Sequence, residues 1–160
     1  MSAPDISSHE LMEILSTCKR VALVGLSGDP MRPSYFAGKY LQEHGFDVVP
    51  VNPNRSDILG ETCYPDLLSI PGKVDVVDLF QRSDRVLPFV RQAIDIGARV
   101  VWMQLTVVNE EAAALARNAG LKVVMDRCMK IEYARLYGGL NYAGVNTRVI
   151  SAKRPLFINR

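Results

Sequence analysis

The chain is poor in the residues from which metal sites and hydrolytic centres are usually assembled. It has only two histidines, His9 and His44, which leaves little from which to build a zinc site. Neither stands at the end of a strand-like run, where the base of a catalytic triad would be needed. The three cysteines, Cys18, Cys63 and Cys128, are odd in number and lack C-x-x-C spacing, which argues against a disulfide framework and a thiolate cage alike. No apolar run approaches the roughly 20 residues needed to span a bilayer, and MSAPDISSHE at the N-terminus has no secretion-signal pattern. A cytoplasmic location without membrane contact is expected. The net charge of +2 supplies no broad field for nucleic acid, although it permits one local anion site.

What is present is an ordinary globular composition, 48% hydrophobic and 22% charged over 160 residues, long enough to bury roughly 70% of the unfolded surface in one domain. Five short apolar runs alternate with helical periodicity. Ser7 and Glu10 have capping-box spacing ahead of Leu11, Ile14, Leu15 and Cys18, which predicts a helix over 7–18. Val21 to Leu26 is continuously apolar, as a strand covered on both faces must be. Pro33 to His44 reads as a helix stopped by Gly45, and Asp47 to Val51 as the second strand. Val74 to Phe80 is the third strand. Ser83 to Ile96 follows as a helix whose start Pro88 obscures. Arg99 to Met103 is the fourth strand, with Trp102 and Met103 in the core. Asn109 caps a helix over 110–119, Lys122 to Met125 is the fifth strand, and Ile131 to Tyr137 is a last helix.

Such alternation predicts an α/β fold: a Rossmann-like doubly wound parallel sheet of about five strands, order 3-2-1-4-5, with helices on both faces. The domain is expected over 1–137, followed by an irregular basic tail over 138–160 that packs on the domain or a partner. In such sheets ligands lie beyond the carboxyl ends of the strands, where the order reverses. The loops selected by that rule are 25–34, 51–55, 79–82 and 103–108.

The first of these, GLSGDPMRPS from Gly25 to Ser34, fits poorly to known loop signatures. A dinucleotide loop, G-x-G-x-x-G, would place glycines where Ser27 and Pro30 stand, and the acidic ribose ligand after the second strand is replaced by Asn52-Pro53-Asn54-Arg55. A hydrolase elbow, G-x-S-x-G, would need glycine at Asp29. As an anion pocket the loop makes better sense: Ser27 and its neighbouring amides donate, Gly28 lets the chain come close, Arg32 adds a forked guanidinium, and Pro30 and Pro33 stiffen the bend. Asn54 and Arg55 are placed to meet a further phosphate.

The stretches VGLSGDPMRPS, YLQEHGFDVVPVNPN, ILGETCYPDL, VDVVDLFQR, VWMQL, NEEAAALARNAGL and VVMDRCMKIEYARL, in that order, resemble the small stand-alone CoA-binding proteins related to the N-terminal CoA-binding domain of the succinyl-CoA synthetase α subunit. The resemblance implies that coenzyme A or acyl-CoA is the ligand. Gly25, Ser27, Gly28, Asp29, Pro30, Arg32 and Ser34 would then follow its pantetheine and phosphates, and Val51, Asn52, Pro53, Asn54 and Arg55 its adenosine end. Leu79, Phe80 and Arg82 would cover the nucleotide, and Gln104, Leu105 and Thr106 the pantetheine arm. The family pattern has glycine where Thr106 stands, which bears on the space left for an acyl group.

No catalytic constellation is legible, and no metal site. Asp75 and Asp78 lie three apart on a strand and so on opposite faces. Cys128, between Arg127 and Lys130, is the candidate for covalent chemistry if those cations lower its pKa. Lys130 and Glu132 are candidates to pair or to cap the last helix. The expected function is non-catalytic binding of CoA or acyl-CoA. The alternatives are an NAD(P)-binding oxidoreductase, a CoA-ligase component acting with a separate subunit, or a CoA-responsive regulatory module. A homodimer or protein partner is left open.

Overall fold

The computed structural model describes residues 6–138. The basic tail expected over 138–160 therefore lies, past Gly138, outside the described residues. In chain order the elements are α1 (Ser8–Thr17), β1 (Arg20–Val24), α2 (Pro33–Glu43), β2 (Asp47–Val51), β3 (Asp57–Ile58), β4 (Glu61–Thr62), β5 (Val76–Leu79), α3 (Leu87–Asp95), β6 (Val100–Met103), α4 (Glu110–Asn118), β7 (Lys122–Val124) and α5 (Met129–Tyr137). Helix starts follow local chemistry. Ser7 and Glu10 form the reciprocal capping box on α1, and the Asn109 side chain accepts the Ala112 amide at the start of α4. Pro88 sits in the first turn of α3, where no intrahelical donor is needed, and a separate 3-10 turn, Ser83–Arg85, precedes it.

Five parallel strands form one sheet in the order β2-β1-β5-β6-β7, and β3 and β4 form a separate two-stranded hairpin. The fold is the doubly wound α/β class that the alternation predicts. The strand order differs. The third main strand, β5, does not lie outside β2 but on the inner side of β1, with Val21 opposite Val76 and Val24 opposite Leu79. Apolar periodicity says only that a strand is covered on both faces and cannot rank its neighbours. Directional bonds settle the order instead: the Asp75 carboxylate accepts the amides of Lys19 and Arg20, and its carbonyl accepts those of Arg99 and Val100. Asp75 thus pins the start of β5 between β1 and β6.

Two apolar layers cover the sheet. On one face α1, α2 and α5 contribute Leu11, Leu41 and Met129 to a cluster with Val21, Leu23 and Trp102. On the other, α3, α4 and the turn Leu67–Ser69 pack Val90, Ala113 and Leu67 on Val24, Val77 and Met103. Burying each large aliphatic side chain contributes about 1.5–3 kcal/mol. Trp102 is buried and its indole N–H donates to the Arg127 carbonyl at 2.7 Å. With β2 on one side of β1 and β5 on the other, the chain reverses direction across the sheet at β1 and β5, and the loops beyond their carboxyl ends splay apart.

Candidate functional site

A cleft of about 1040 Å³ opens where the loops after β1, β5 and β6 diverge. Two other hollows, of about 260 and 440 Å³, are smaller and lie elsewhere. A volume at the upper end of the 300–1,000 Å³ typical of small-molecule sites suits an elongated ligand.

The floor depends on Gly25. Its φ is +89°, and a Cβ there would meet the Phe80 carbonyl oxygen at 2.3 Å, so the loops after β1 and β5 approach closely only because glycine stands at this position. Beyond it the chain bonds to itself. Ser27 donates its amide to the Ser34 hydroxyl at 3.0 Å, the Ser27 hydroxyl accepts the Asp29 amide at 3.0 Å, and the Asp29 carboxylate accepts the Met31 amide at 2.9 Å. This revises the expected pocket of free amides. Short polar side chains claim the donors in local turns, and what remains toward the cleft is the Ser27 side chain, the first turn of α2 at Pro33 and Ser34, and Arg32.

Gly28 also has a different task from the one expected. A Cβ there would lie 2.6 Å from the Arg55 guanidinium, so it is Arg55, crossing over from beyond β2, that approaches the glycine closely. Asn52 ties the two loops together, donating to the Leu26 carbonyl and accepting from the Asn54 amide. Asn52 lines the cleft, whereas Asp29, Pro30, Pro53, Asn54 and Arg55 are exposed outside its lining. Val51 and Leu79 are strand residues buried in the core, and their side chains do not reach the cleft. The rest of the expected set comes together: Gly25, Ser27, Arg32, Ser34, Asn52, Phe80, Arg82, Gln104, Leu105 and Thr106 all line it.

Sequence reasoning did not assign one wall to the site. Met31 ahead of α2, Phe36 and Ala37 within it, and Cys128, Lys130 and Ile131 at the start of α5 also line the cleft. The signal available was that α5 follows the carboxyl end of β7 and so begins at the same end of the sheet. Lys130 does not pair with Glu132. Its ammonium lies 5.8 Å from the Tyr40 ring centre, and Glu132 is held by Arg135 at 2.8 Å and Arg127 at 3.5 Å. Burial pushes the Cys128 thiol pKa up and outweighs Lys130, so its basic neighbours do not activate it.

Thr106 has φ +69°, a left-handed conformation that a β-branched residue rarely adopts, and its amide donates to the Asp126 carboxylate at 2.7 Å. The backbone therefore explains a preference for glycine at this position, beyond any effect on the channel. Behind this loop, Gln104 is buried and donates from its amide nitrogen to the Asp78 carboxylate at 2.6 Å. Asp78 is wholly buried, and burial raises its pKa to about 7. It lies in the apolar series Val76-Val77-Asp78-Leu79, where a lone acid in a doubly covered strand was the overlooked signal.

The charge in the cleft is of one sign. Arg32, Arg82 and Lys130 line it and no Asp or Glu does. Arg82 is exposed and shares its charge with Asp84 at 3.0 Å. Fold and cleft together define a doubly wound α/β domain with a basic, part-apolar groove at its switch point.

The comparisons specify the kind. Residues 19–134 match the CoA binding domain family, and the chain belongs to that family. It is 38% identical over 128 residues to the uncharacterized protein YneT of Bacillus subtilis, covering 80% of this chain and 95% of that one. It superposes with a TM-score of 0.82 on a hypothetical protein from Pyrococcus horikoshii OT3, at 44% identity, over 86% of this chain and 99% of that chain. It is also 27% identical over 128 residues to the ADP-forming acetate–CoA ligase I of Archaeoglobus fulgidus, matching 74% of this chain and 19% of the ligase. The chain thus spans nearly all of its small relatives and about a fifth of the ligase.

Proposed function

We propose that this protein binds coenzyme A or an acyl-CoA in the cleft between the β1, β5 and β6 loops, and that it does so without chemistry of its own. The observation that carries the reading is the single-signed lining: three cations and no carboxylate around a groove that also offers Met31, Phe36 and Leu105 as exposed apolar surface. A ligand with phosphates at one end and a long, weakly polar arm at the other matches both features. The helix dipole of α2 and each exposed cation contribute about 0.3–1 kcal/mol apiece, so useful affinity needs several to converge on one polyphosphate. Membership of the CoA binding domain family supports the same ligand.

Arg32 is the residue whose charge is committed to the ligand. It caps α2 through its carbonyl, which accepts the Tyr35 and Phe36 amides, while its guanidinium makes no hydrogen bond or ion pair among the described residues. Isothermal calorimetry on Arg32→Ala is expected to show CoA affinity reduced about five- to thirtyfold, the loss of a charge-assisted bond of roughly 1–2 kcal/mol, with an unchanged melting temperature. A thermal-shift panel of CoA, acetyl-CoA, NAD, NADP and FMN tests the reading itself. At 100 times its dissociation constant a ligand stabilises by about 2.7 kcal/mol. A clear response to NADP with none to CoA would remove the proposal.

A further inference from the structure

Asp78 has no role in the fold that a neutral residue would not serve better. It is 0% exposed, one carboxylate oxygen accepts from Gln104, and the other, Oδ2, has no hydrogen-bond partner. A buried, unpartnered carboxylate oxygen is an expensive arrangement in a core, and it calls for an explanation. Its surroundings connect it to the cleft. Gln104, which holds Oδ1, lines the cleft, and so does Cys128, whose thiol feels the Asp78 charge. In the sheet, Leu23 of β1 and Trp102 of β6 stand opposite Asp78. From the helical layer, α5 brings Cys128 as the titratable neighbour. Among the described residues no cation acts on Asp78, whose pKa is raised by burial and lowered by the Gln104 bond.

We infer that Asp78 is the proton-linked group of the ligand cleft: filling the cleft drives net uptake of a fraction of a solvent proton onto Oδ2, so affinity rises as the pH falls. The inference rests on the proposed CoA reading. A ligand lying on Gln104 and Cys128 shields the cleft side of Asp78 from bulk solvent, and its phosphates, held by the cations elsewhere in the cleft, add negative charge to the field at Asp78. Both disfavour the ionised carboxylate, so both favour the acid in the bound state. By linkage, every unit by which binding raises the Asp78 pKa strengthens binding tenfold between the pH range in which it is ionised and that in which it is protonated. With a free-state value of about 7, the transition falls in the neutral range.

The experiment uses dephospho-CoA, which lacks the phosphate monoester that itself titrates near pH 6. Calorimetry from pH 6 to 8.5, in buffers of different ionisation enthalpy, is expected to show affinity falling about three- to tenfold as pH rises, with net proton uptake near pH 7. Asp78→Asn keeps an acceptor for Gln104 and removes the titration, and is expected to bind with no pH slope over that range. Cys128→Ser, whatever its effect on affinity, keeps the slope. Carbon NMR on wild-type protein labelled in its aspartate carboxyls adds a readout independent of variant folding: one carboxyl titrating near pH 7 when free and higher when saturated. Equal slopes in wild type and Asp78→Asn, or an Asp78 carboxyl titrating in the ordinary range in both states, overturn this inference alone. No binding of dephospho-CoA or CoA at any pH overturns the CoA reading and this inference together.

Discussion

The two sides of the cleft are both held by hydrogen bonds and differ in backbone strain. The loop after β1 is bonded at nearly every step, through Ser27 to Ser34, Asp29 to Ser27 and Met31 to Asp29, and its one left-handed residue is a glycine. The loop after β6 instead places Thr106 in the left-handed region opposite Asp126, also left-handed at φ +58°; the Thr106 amide donates to the Asp126 carboxylate, the Asp126 amide to the Val107 carbonyl, and Ser83 bonds Thr106 and Val108. Left-handed backbone costs a non-glycine residue about 1–2 kcal/mol. Both walls are therefore cross-braced, but the first is relaxed and the second strained. The relaxed wall carries Arg32 and the start of α2; the strained wall carries Gln104, which reaches down to Asp78. Rigidity suits a side proposed to meet a fixed charge pattern, and the strain lies beside the buried Asp78.

Breaking the relaxed wall should have the larger effect. Gly25→Ala adds a Cβ at 2.3 Å from the Phe80 carbonyl oxygen while keeping φ at +89°. The backbone term and the overlap together are expected to destabilise by about 2–4 kcal/mol, lowering the urea midpoint and weakening ligand binding, because β1 and β5 must separate. An unchanged midpoint would mean that the two loops do not approach as described. Ser34→Ala is milder. Ser34 is buried, and its loss leaves the Ser27 amide without its acceptor, a cost of about 1–2 kcal/mol. Hydrogen exchange should accelerate at Ser27 and little elsewhere. Faster exchange throughout the sheet would show instead that the brace supports the core rather than the loop.

Legibility in the sequence followed the same division. Elements set by local chemistry were read to within a residue or two: the Ser7–Glu10 capping box, the Asn109 cap and β2 over Asp47–Val51. The ends of the strands pointed to loops that meet around the cleft, and ten of the expected residues line it, since the loops at one end of a parallel sheet collect together. Three things lay beyond reach. Strand order depends on Asp75 bonding to residues 55 and 56 positions away, a contact with no local signature. The direction of side chains inside the loop depends on which amides Ser27 and Asp29 claim, and sequence lists donors without saying who uses them. The charge state of Cys128 depends on how deeply it is buried, which adjacent cations do not report. Asp78 was within reach: an acid among covered apolar residues signals either a partner or a titrating group.

The strained wall offers the smallest effect and the clearest sign. Thr106→Gly removes the side chain that disfavours φ +69° and leaves the amide free to keep its bond to Asp126. Relief of left-handed strain of about 1–2 kcal/mol is partly offset by the added freedom of glycine in the unfolded chain, about 0.4–1 kcal/mol, so a net stabilisation of about 0.5–1 kcal/mol is expected. Denaturant unfolding at fixed pH measures it through the midpoint. A destabilisation would show that Thr106 makes contacts worth more than its strain, and the two walls would then differ in composition but not in kind.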